Sequence, residues 1–396
     1  MGKYILVTGG ELFNKGAQAM TFVTVSEIAN RYPEKKVVLI SPRDARREKE
    51  QKELYNIEFI SNVSTKIQLL SGIFKRDAFI RLVKDKNTRR YLEIVKETDA
   101  MLDISGYALG ANWGSERVIS YMVNIVMACI NSIPVYLMPQ SFGPFSFSGK
   151  KGKIADKLLQ WFMPHVKVIM AREYEGEELL ITRYNLNNVV KTPDLVLQNK
   201  EINVDNIYRQ LPEFKKITVK TFSVALIPNK KTIVYGNPEE IFNIYKQMID
   251  QLLCAGKTVY LIYHAVEDYE LCKRIKESYY SATEEVILCS EEYSCLEFDE
   301  IVKKFDFVIA SRFHAIVHAY KNSIPAIVLG WAVKYKELVS AFGQDSFLFD
   351  VRKEFRKEDI SMAITTMCND YKKESCTIEM HLKEIQKDNV FDLIKL

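Results

Sequence analysis

The stretch IASRFHAIVHAYKNSIPAIVLGWAVKYKEL (309–338) sets an arginine and a histidine two residues apart where a predicted strand gives way to a helix. Cations at a helix start oppose the helix dipole, so a purely structural reason for Arg312 and His314 is weak. A bound anion would reverse that cost. Histidine is also the side chain best suited to donate a proton near neutral pH. Arg312 and His314 are therefore the candidate catalytic pair. The loop after the next strand adds Lys334 as a second cation, beside Trp331 and Lys336. His314 and His318 are four residues apart and could share a helix face. They lack the HExxH context and third ligand of a zinc site, so no metal is expected and His318 reads as a satisfied core residue.

Five further groups carry candidate binding residues. In TGGELFNKGAQAM (8–20), Gly9 and Gly10 join a strand to a helix, which turns backbone N–H groups toward an anion. Asn14 and Lys15 supply side-chain donors there. The spacing is neither GxGxxG nor a P-loop, and a tight turn without a ligand is the competing reading. DISGYALGANWG (103–114) leaves a strand with Asp103, Ser105, Tyr107, Asn112 and Trp113, residue types that line sugar sites. MPQSFGPF (138–145) places Gln140 and Ser141 at a strand end before a Gly-Pro turn. In MAREYEGEELL (170–180), Arg172 could fork onto a carboxylate or phosphate. It could equally pair with Glu173 or Glu175, which suit the helix dipole. YHAVEDYE (263–270) puts His264 at a strand end, where a ligand or a structural hydrogen bond would occupy it.

These groups need a scaffold that brings strand ends together. Apolar runs at 3–8, 37–40, 99–104, 133–138, 166–171 and 188–191 alternate with longer amphipathic stretches, notably from Lys15 to Tyr32 and from Ser115 to Asn131. That alternation predicts βαβ units and a parallel sheet. After Pro193-Asp194 the pattern lapses, and 198–220 reads as a connection. It restarts with strands at 222–228, 258–263, 285–289, 305–311 and 326–330, and a helix from Glu239 to Leu253. The expected fold class is α/β, with two Rossmann-like domains facing across a cleft and ligands beyond the carboxyl ends of the strands. The expected boundaries are 1–197 for the first domain, 221–350 for the second and 351–396 for a helical tail.

Composition limits the alternatives. The chain has 396 residues, enough for two domains with their own cores. Its net charge of +4 (55 basic against 51 acidic residues) does not call for nucleic acid. Seven scattered cysteines, odd in number and without a CxxC pair, argue against a disulfide framework. No signal peptide or membrane-spanning run is visible, so a soluble, cytoplasmic protein is expected.

Three of these patterns together resemble the polysaccharide pyruvyl transferase family. They are GGELFNKGAQAM, PQSFGPF with AREYEGEELL and PDLVL, and SRFHAIVHAYKNSIPAIVLGWAVKYKEL, spread over about residues 3–345. The resemblance implies a fold similar to GT-B glycosyltransferases. It also implies transfer of an enolpyruvyl unit from phosphoenolpyruvate to two hydroxyls of one sugar, with phosphate released. The family's Arg-x-His pair falls on Arg312 and His314, its turn asparagine on Asn14, and its later arginine on Arg172. The segment after Asp103 departs from the family by reading Ser-Gly-Tyr where many members carry a glycine run. Phosphoenolpyruvate would then be the donor substrate, with no cofactor. Arg312, Arg172, Lys334 and the Gly9-Gly10 turn would converge on its two anionic groups. A GT-B-type glycosyltransferase using a nucleotide sugar is the alternative. A sugar-binding or regulatory protein is a third reading, disfavoured by the Arg312/His314 pair.

One segment points elsewhere. Residues 66–96 hold nine Lys/Arg and three acids, a surplus of +6, interleaved with Leu69, Leu70, Ile73, Phe74, Phe79 and Ile80. Such a segment suits peripheral contact with the inner face of an anionic membrane, which fits an acceptor carried as a lipid-linked oligosaccharide. A solvated helix packed on the core is the competing reading.

Overall fold

The computed structural model describes residues 2–74 and 77–396. The chain forms two compact units. The first comprises Met1–Leu195, Asn199–Pro212 and Asn389–Leu396; the second comprises Val196–Gln198 and Glu213–Asp388.

The first unit is built on β1 (Tyr4–Thr8), β2 (Lys36–Ile40), β3 (Ile57–Ile60), β4 (Thr98–Asp103), β5 (Val135–Gln140), β6 (Val168–Ala171) and β7 (Val189–Lys191). They form one sheet in the order β3-β2-β1-β4-β5-β6-β7, every neighbour parallel. β1 is buried at all five positions, the near-continuous apolar run expected of a strand covered on both faces. The order reverses between β1 and β4, whose register pairs Thr8 with Asp103. Crevices for ligands open at such reversals, beyond the carboxyl ends of the strands.

The second unit repeats the plan with β8 (Ser223–Ile227), β9 (Thr258–Leu261), β10 (Val286–Leu288), β11 (Phe307–Ala310), β12 (Ala326–Gly330) and β13 (Leu348–Asp350). Their order is β10-β9-β8-β11-β12-β13, again parallel throughout. Here the reversal lies between β8 and β11, and β11 leads directly into Ser311, Arg312 and His314.

β3 and β13 escape the sequence reading. Both lie at sheet edges, where β3 is interrupted by Glu58 and β13 runs into Asp350 after two apolar residues. The helices Lys15–Arg31, Ser115–Ile130 and Pro238–Cys254 lie within one or two residues of the expected ends.

The tail is shared between the units instead of standing apart. The helix Lys357–Ile385 lies against Pro238–Cys254, where Gln247 and Gln251 donate to Ser361 Oγ and O at 3.0 and 2.8 Å. Residues 389–396 belong to the first unit, with Val390, Phe391 and Ile394 buried. Glu27 Oε1 accepts from both Asn199 and Asn389, at 3.0 and 3.2 Å, so one carboxylate pins two chain crossings.

The basic segment is not one amphipathic face. It forms the helices Thr65–Phe74, Asp77–Leu82 and Lys86–Lys96. The third is a core helix that buries Tyr91, Leu92, Ile94 and Val95. Its Arg90 is held by Glu58 at 2.6 and 2.7 Å, and Arg89 donates to Val83 O. Lys75 and Arg76, with the side chains of Phe74 and Asp77, lie outside the described residues. Among those described, no helix is long and apolar enough to cross a membrane.

Candidate functional site

In the second unit, the loops after β8, β9, β11 and β12 are tied together at the carboxyl edge of the sheet. Ser311 O accepts from Asn229 Nδ2 and from Tyr335 OH, both at 2.9 Å. This fixes the residue before Arg312 from two sides. Arg312 is the N-cap residue of the helix Phe313–Lys321, with extended backbone. Its Nε donates to Asp268 Oδ2 at 2.6 Å, and its Nη2 donates to Asp268 Oδ1 at 2.8 Å and Glu267 Oε1 at 2.7 Å. Asp268 is fully buried and also accepts from Lys230 N. Burial works against the guanidinium charge, but the two carboxylates outweigh it and raise the Arg312 pKa.

The expectation that an external anion must offset the Arg312 charge is thereby corrected, because the chain supplies two carboxylates of its own. Nη1 makes no hydrogen bond among the described residues. Sequence reading passed over Glu267 and Asp268 although they follow His264 closely. The only signal was an arginine at a helix start, which demands a carboxylate; nothing local to Arg312 points to Glu267 and Asp268 after β9.

His314 is half-buried in the first turn of the same helix, its ring edge-on to Phe313 at 5.5 Å. Lys334 Nζ lies over the rings of Phe313, Trp331 and Tyr335 at 5.0, 5.5 and 5.9 Å, a cation held by aromatic faces. Trp331 in turn stacks on Tyr235 at 5.1 Å, nearly coplanar at 4°. His264 does not line this edge. It is buried, packs edge-on against Phe298, and lies 6.1 Å from His318. His318 is also buried, with Nδ1 at 2.8 Å from Asp299, so the expectation of a core residue holds for it. No cluster of His, Cys, Asp and Glu among the described residues could hold a metal ion.

In the first unit, most predicted binding residues point inward and hold one another. Asp103 is buried at the reversal, accepting from Thr8 Oγ1 at 2.7 Å, Tyr121 OH at 2.7 Å, Ser105 N at 3.2 Å and Gln140 Nε2 at 3.3 Å. Burial pushes its pKa up, and these donors work against the shift. Arg172 is buried too. Nη1 donates to Asp194 Oδ2 at 2.6 Å, and Nη2 donates to Gly106 O at 2.7 Å and Ser141 Oγ at 2.8 Å. Ser141 Oγ in turn donates a hydrogen bond to Glu173 Oε1 at 2.8 Å. The proposed anion fork of Arg172 is thus a brace joining the ends of β4, β5 and β6 to the segment at Asp194. Asp103, Gln140 and Ser141 are likewise parts of the frame and not of its surface.

The glycine turn has a packing explanation as well. Gly9 has φ +77°, and a Cβ there would stand 2.0 Å from Ser105 Oγ and 2.6 Å from Ser105 N. At Gly10 it would stand 2.6 Å from Thr21 Oγ1. Asn14 caps the helix Lys15–Arg31, accepting from Gly16 N and Ala17 N at 3.0 and 3.3 Å, and Lys15 is buried at its start. What remains at the surface is aromatic. Tyr107 OH donates to Gly143 O at 2.9 Å and accepts from Asn112 at 3.3 Å. The Tyr107 ring meets the exposed Trp113 edge-on at 5.3 Å, with Arg117 over the indole at 5.0 Å.

Two parallel α/β units, each with its loops gathered at a strand-order reversal, define a GT-B-type fold. Solved structures share it. UDP-GlcNAc 2-epimerase from Methanocaldococcus jannaschii is 11% identical, with 93% of each chain covered and a TM-score of 0.57. Anabaena Alr3699/HepE in complex with UDP and glucose is 12% identical, with 99% of this chain and 97% of that chain covered and a TM-score of 0.55. S. aureus MnaA with UDP is 12% identical, covering 98% of this chain and 91% of that chain, at a TM-score of 0.54. No curated protein matches the chain. The model of the polysaccharide pyruvyl transferase family matches residues 14–332, and the chain belongs to that transferase family.

Proposed function

We propose that the protein transfers the enolpyruvyl unit of phosphoenolpyruvate to two hydroxyls of one sugar, forming a cyclic pyruvate ketal and releasing phosphate. The observation that carries this reading is the Arg312–His314 pair at the β8/β11 reversal, within a chain of this family. His314 delivers a proton to the donor's methylene carbon, which becomes the methyl group. Positive charge develops at the adjacent carbon, and the first sugar hydroxyl adds there. The C–O bond to phosphate breaks, and the second hydroxyl closes the ring. Of the two hydroxyl protons released, one balances the proton spent on carbon and the other leaves with phosphate. The donor carries its own leaving group, so the scheme needs no resident cofactor.

Asp268 and Glu267 fix the Nε edge of Arg312 and leave Nη1 for the donor, with Lys334 as the second cation. Calorimetric titration of phosphoenolpyruvate tests the donor. Saturable binding is expected for the wild type and for His314→Ala, and a loss of at least tenfold in affinity for Arg312→Ala. His314→Ala should lower kcat by about 10²–10⁴-fold with the fold intact. Near-normal kcat in His314→Ala would remove the acid from the mechanism.

One observation favours a second reading. The stacked Tyr235–Trp331 pair could receive a base or sugar ring, and UDP is present in the similar MnaA and HepE structures. Saturable binding of a nucleotide sugar, with none of phosphoenolpyruvate, would decide for a glycosyltransferase.

A further inference from the structure

The helix Thr65–Phe74 packs Ile67 on the core but turns other apolar side chains outward. Its polar residues Gln68 and Ser71 are buried, while Leu69 and Ile73 are 38% and 60% exposed. The buried polar groups are tied to one another through their donors, while Gln68 Oε1 and Asn131 Oδ1 accept no hydrogen bond. Gln68 Nε2 donates to Val63 O at 3.1 Å, Ser71 Oγ donates to Gln68 O at 2.6 Å, and Asn131 Nδ2 donates to Ser71 Oγ at 2.6 Å. Those bonds fix the helix rotation, so its apolar face cannot turn inward without orphaning buried donors and acceptors. Leu69 and Ile73 are four residues apart and share one face. The adjoining helix Asp77–Leu82 extends the face with Phe79 and Leu82, 41% and 76% exposed, while its Ile80 is buried. Ile130, also exposed, continues it beside Gly72, where a Cβ would lie 2.5 Å from Ile130 Cγ2.

Charge identifies the occupant. Lys66, Arg81 and Lys84 are exposed along these two helices and the turn after them, and Lys86 follows at the start of the third, with the exposed Asp85 as the acid between them. We propose that this face of the first unit docks on an anionic lipid surface, with Leu69, Ile73, Phe79 and Leu82 entering the headgroup layer and the basic residues meeting lipid phosphates. A second copy docked on the same face would set like charges against each other, so lipid is the better match. The proposal concerns where the protein works and does not depend on the donor.

Co-sedimentation with phosphatidylglycerol and phosphatidylcholine vesicles tests it. The wild type is expected to bind the anionic vesicles, and binding should weaken with salt. The triple variant Lys66→Glu/Arg81→Glu/Lys84→Glu should lose about a hundredfold in partition constant. Ile73→Glu/Leu82→Glu should lose at least tenfold at unchanged charge-neutralising salt. All of these positions are exposed, so an unchanged thermal midpoint and unchanged phosphoenolpyruvate titration should accompany each loss. Absence of wild-type binding, or binding untouched by either variant, overturns the proposal. A lipid-free dimer that Leu82→Glu dissociates would also overturn it by assigning the face to a second copy.

Discussion

Arg172, which is buried, and Arg312, which is partly so, show how a cation at a strand end is spent. Each ends a strand, and each finds its carboxylate in a different loop: Asp194 for the first, Asp268 for the second. Removing one partner of a buried pair leaves the other charge desolvated and uncompensated. Asp194→Ala should therefore lower stability by about 3 kcal/mol, whereas Asp194→Asn keeps an acceptor and should lose less. Urea unfolding checks both, and equal losses would mean that charge is not what Asp194 provides. A second prediction concerns acid. Burial raises the Asp299 pKa, but hydrogen bonds from His318 and Asn322 and the charges of His318 and Lys321 outweigh it, leaving it at about 2. A folded pKa below the unfolded value of about 3.9 stabilises the protein above that value. The contribution then fades as pH falls toward 2. It should be worth roughly 2 kcal/mol near neutrality. Asp299→Asn should thus lie below wild type at pH 6 and converge with it near pH 2. A gap that stays constant across that range would show the carboxylate to be uninvolved.

At the scale of elements, the turns after β1 and β4 are one object. Gly9 presses on Ser105, and Asp103 reaches back to Thr8. A side chain at position 9 meets both the Ser105 hydroxyl and its backbone, in a conformation that L residues rarely adopt. Gly9→Ala should cost about 1–3 kcal/mol. Adding Ser105→Gly should not restore it, because Ser105 N and Cα stay within 2.7 Å of the new methyl group. Full rescue in a thermal melt would show the hydroxyl alone to be the obstacle. These contacts also mark what a sequence can and cannot convey. The alternation of strands and helices was legible because burial on both faces writes long apolar runs. Arg312 and His314 drew notice because cations sit awkwardly at a helix start, but Arg312 proves to be answered by Asp268 and Glu267. Asp268, Asp194 and Tyr121 were not legible, since a partner 20 or 40 residues away leaves no local trace. For the same reason Asp103, Gln140, Ser141 and Arg172 read as ligand-facing when they face one another. The exposed side of Thr65–Phe74 was legible as composition only; its rotation is set by Asn131, in a different helix.

Across the whole molecule, the chain leaves the first unit, builds the second and returns. Residues 389–396 then complete the first unit through Val390, Phe391 and Ile394. Polar contacts lock the return: Tyr32 OH donates to Ile394 O at 3.1 Å, Tyr136 OH to Lys395 O at 2.8 Å, and Arg31 Nη1 to Asp392 at 2.6 Å. Tyr136 stands on β5, so the returning segment reaches a central strand of the first sheet. Three buried apolar side chains at about 1.5–3 kcal/mol each set an upper estimate of roughly 9 kcal/mol, and the real gain is smaller because an unfolded chain already shields some of that surface. Removing 389–396 should therefore destabilise the first unit by several kcal/mol and leave the second untouched. The three tryptophans make this measurable, because Trp113 and Trp161 belong to the first unit and Trp331 to the second. In a Trp331→Phe background, fluorescence follows the first unit, and its urea midpoint should fall on truncation. In a Trp113→Phe/Trp161→Phe background it follows the second, whose midpoint should not move. Equal shifts in both would mean that the units unfold as one, and no shift in either would mean that the returning segment contributes nothing to the sheet it covers.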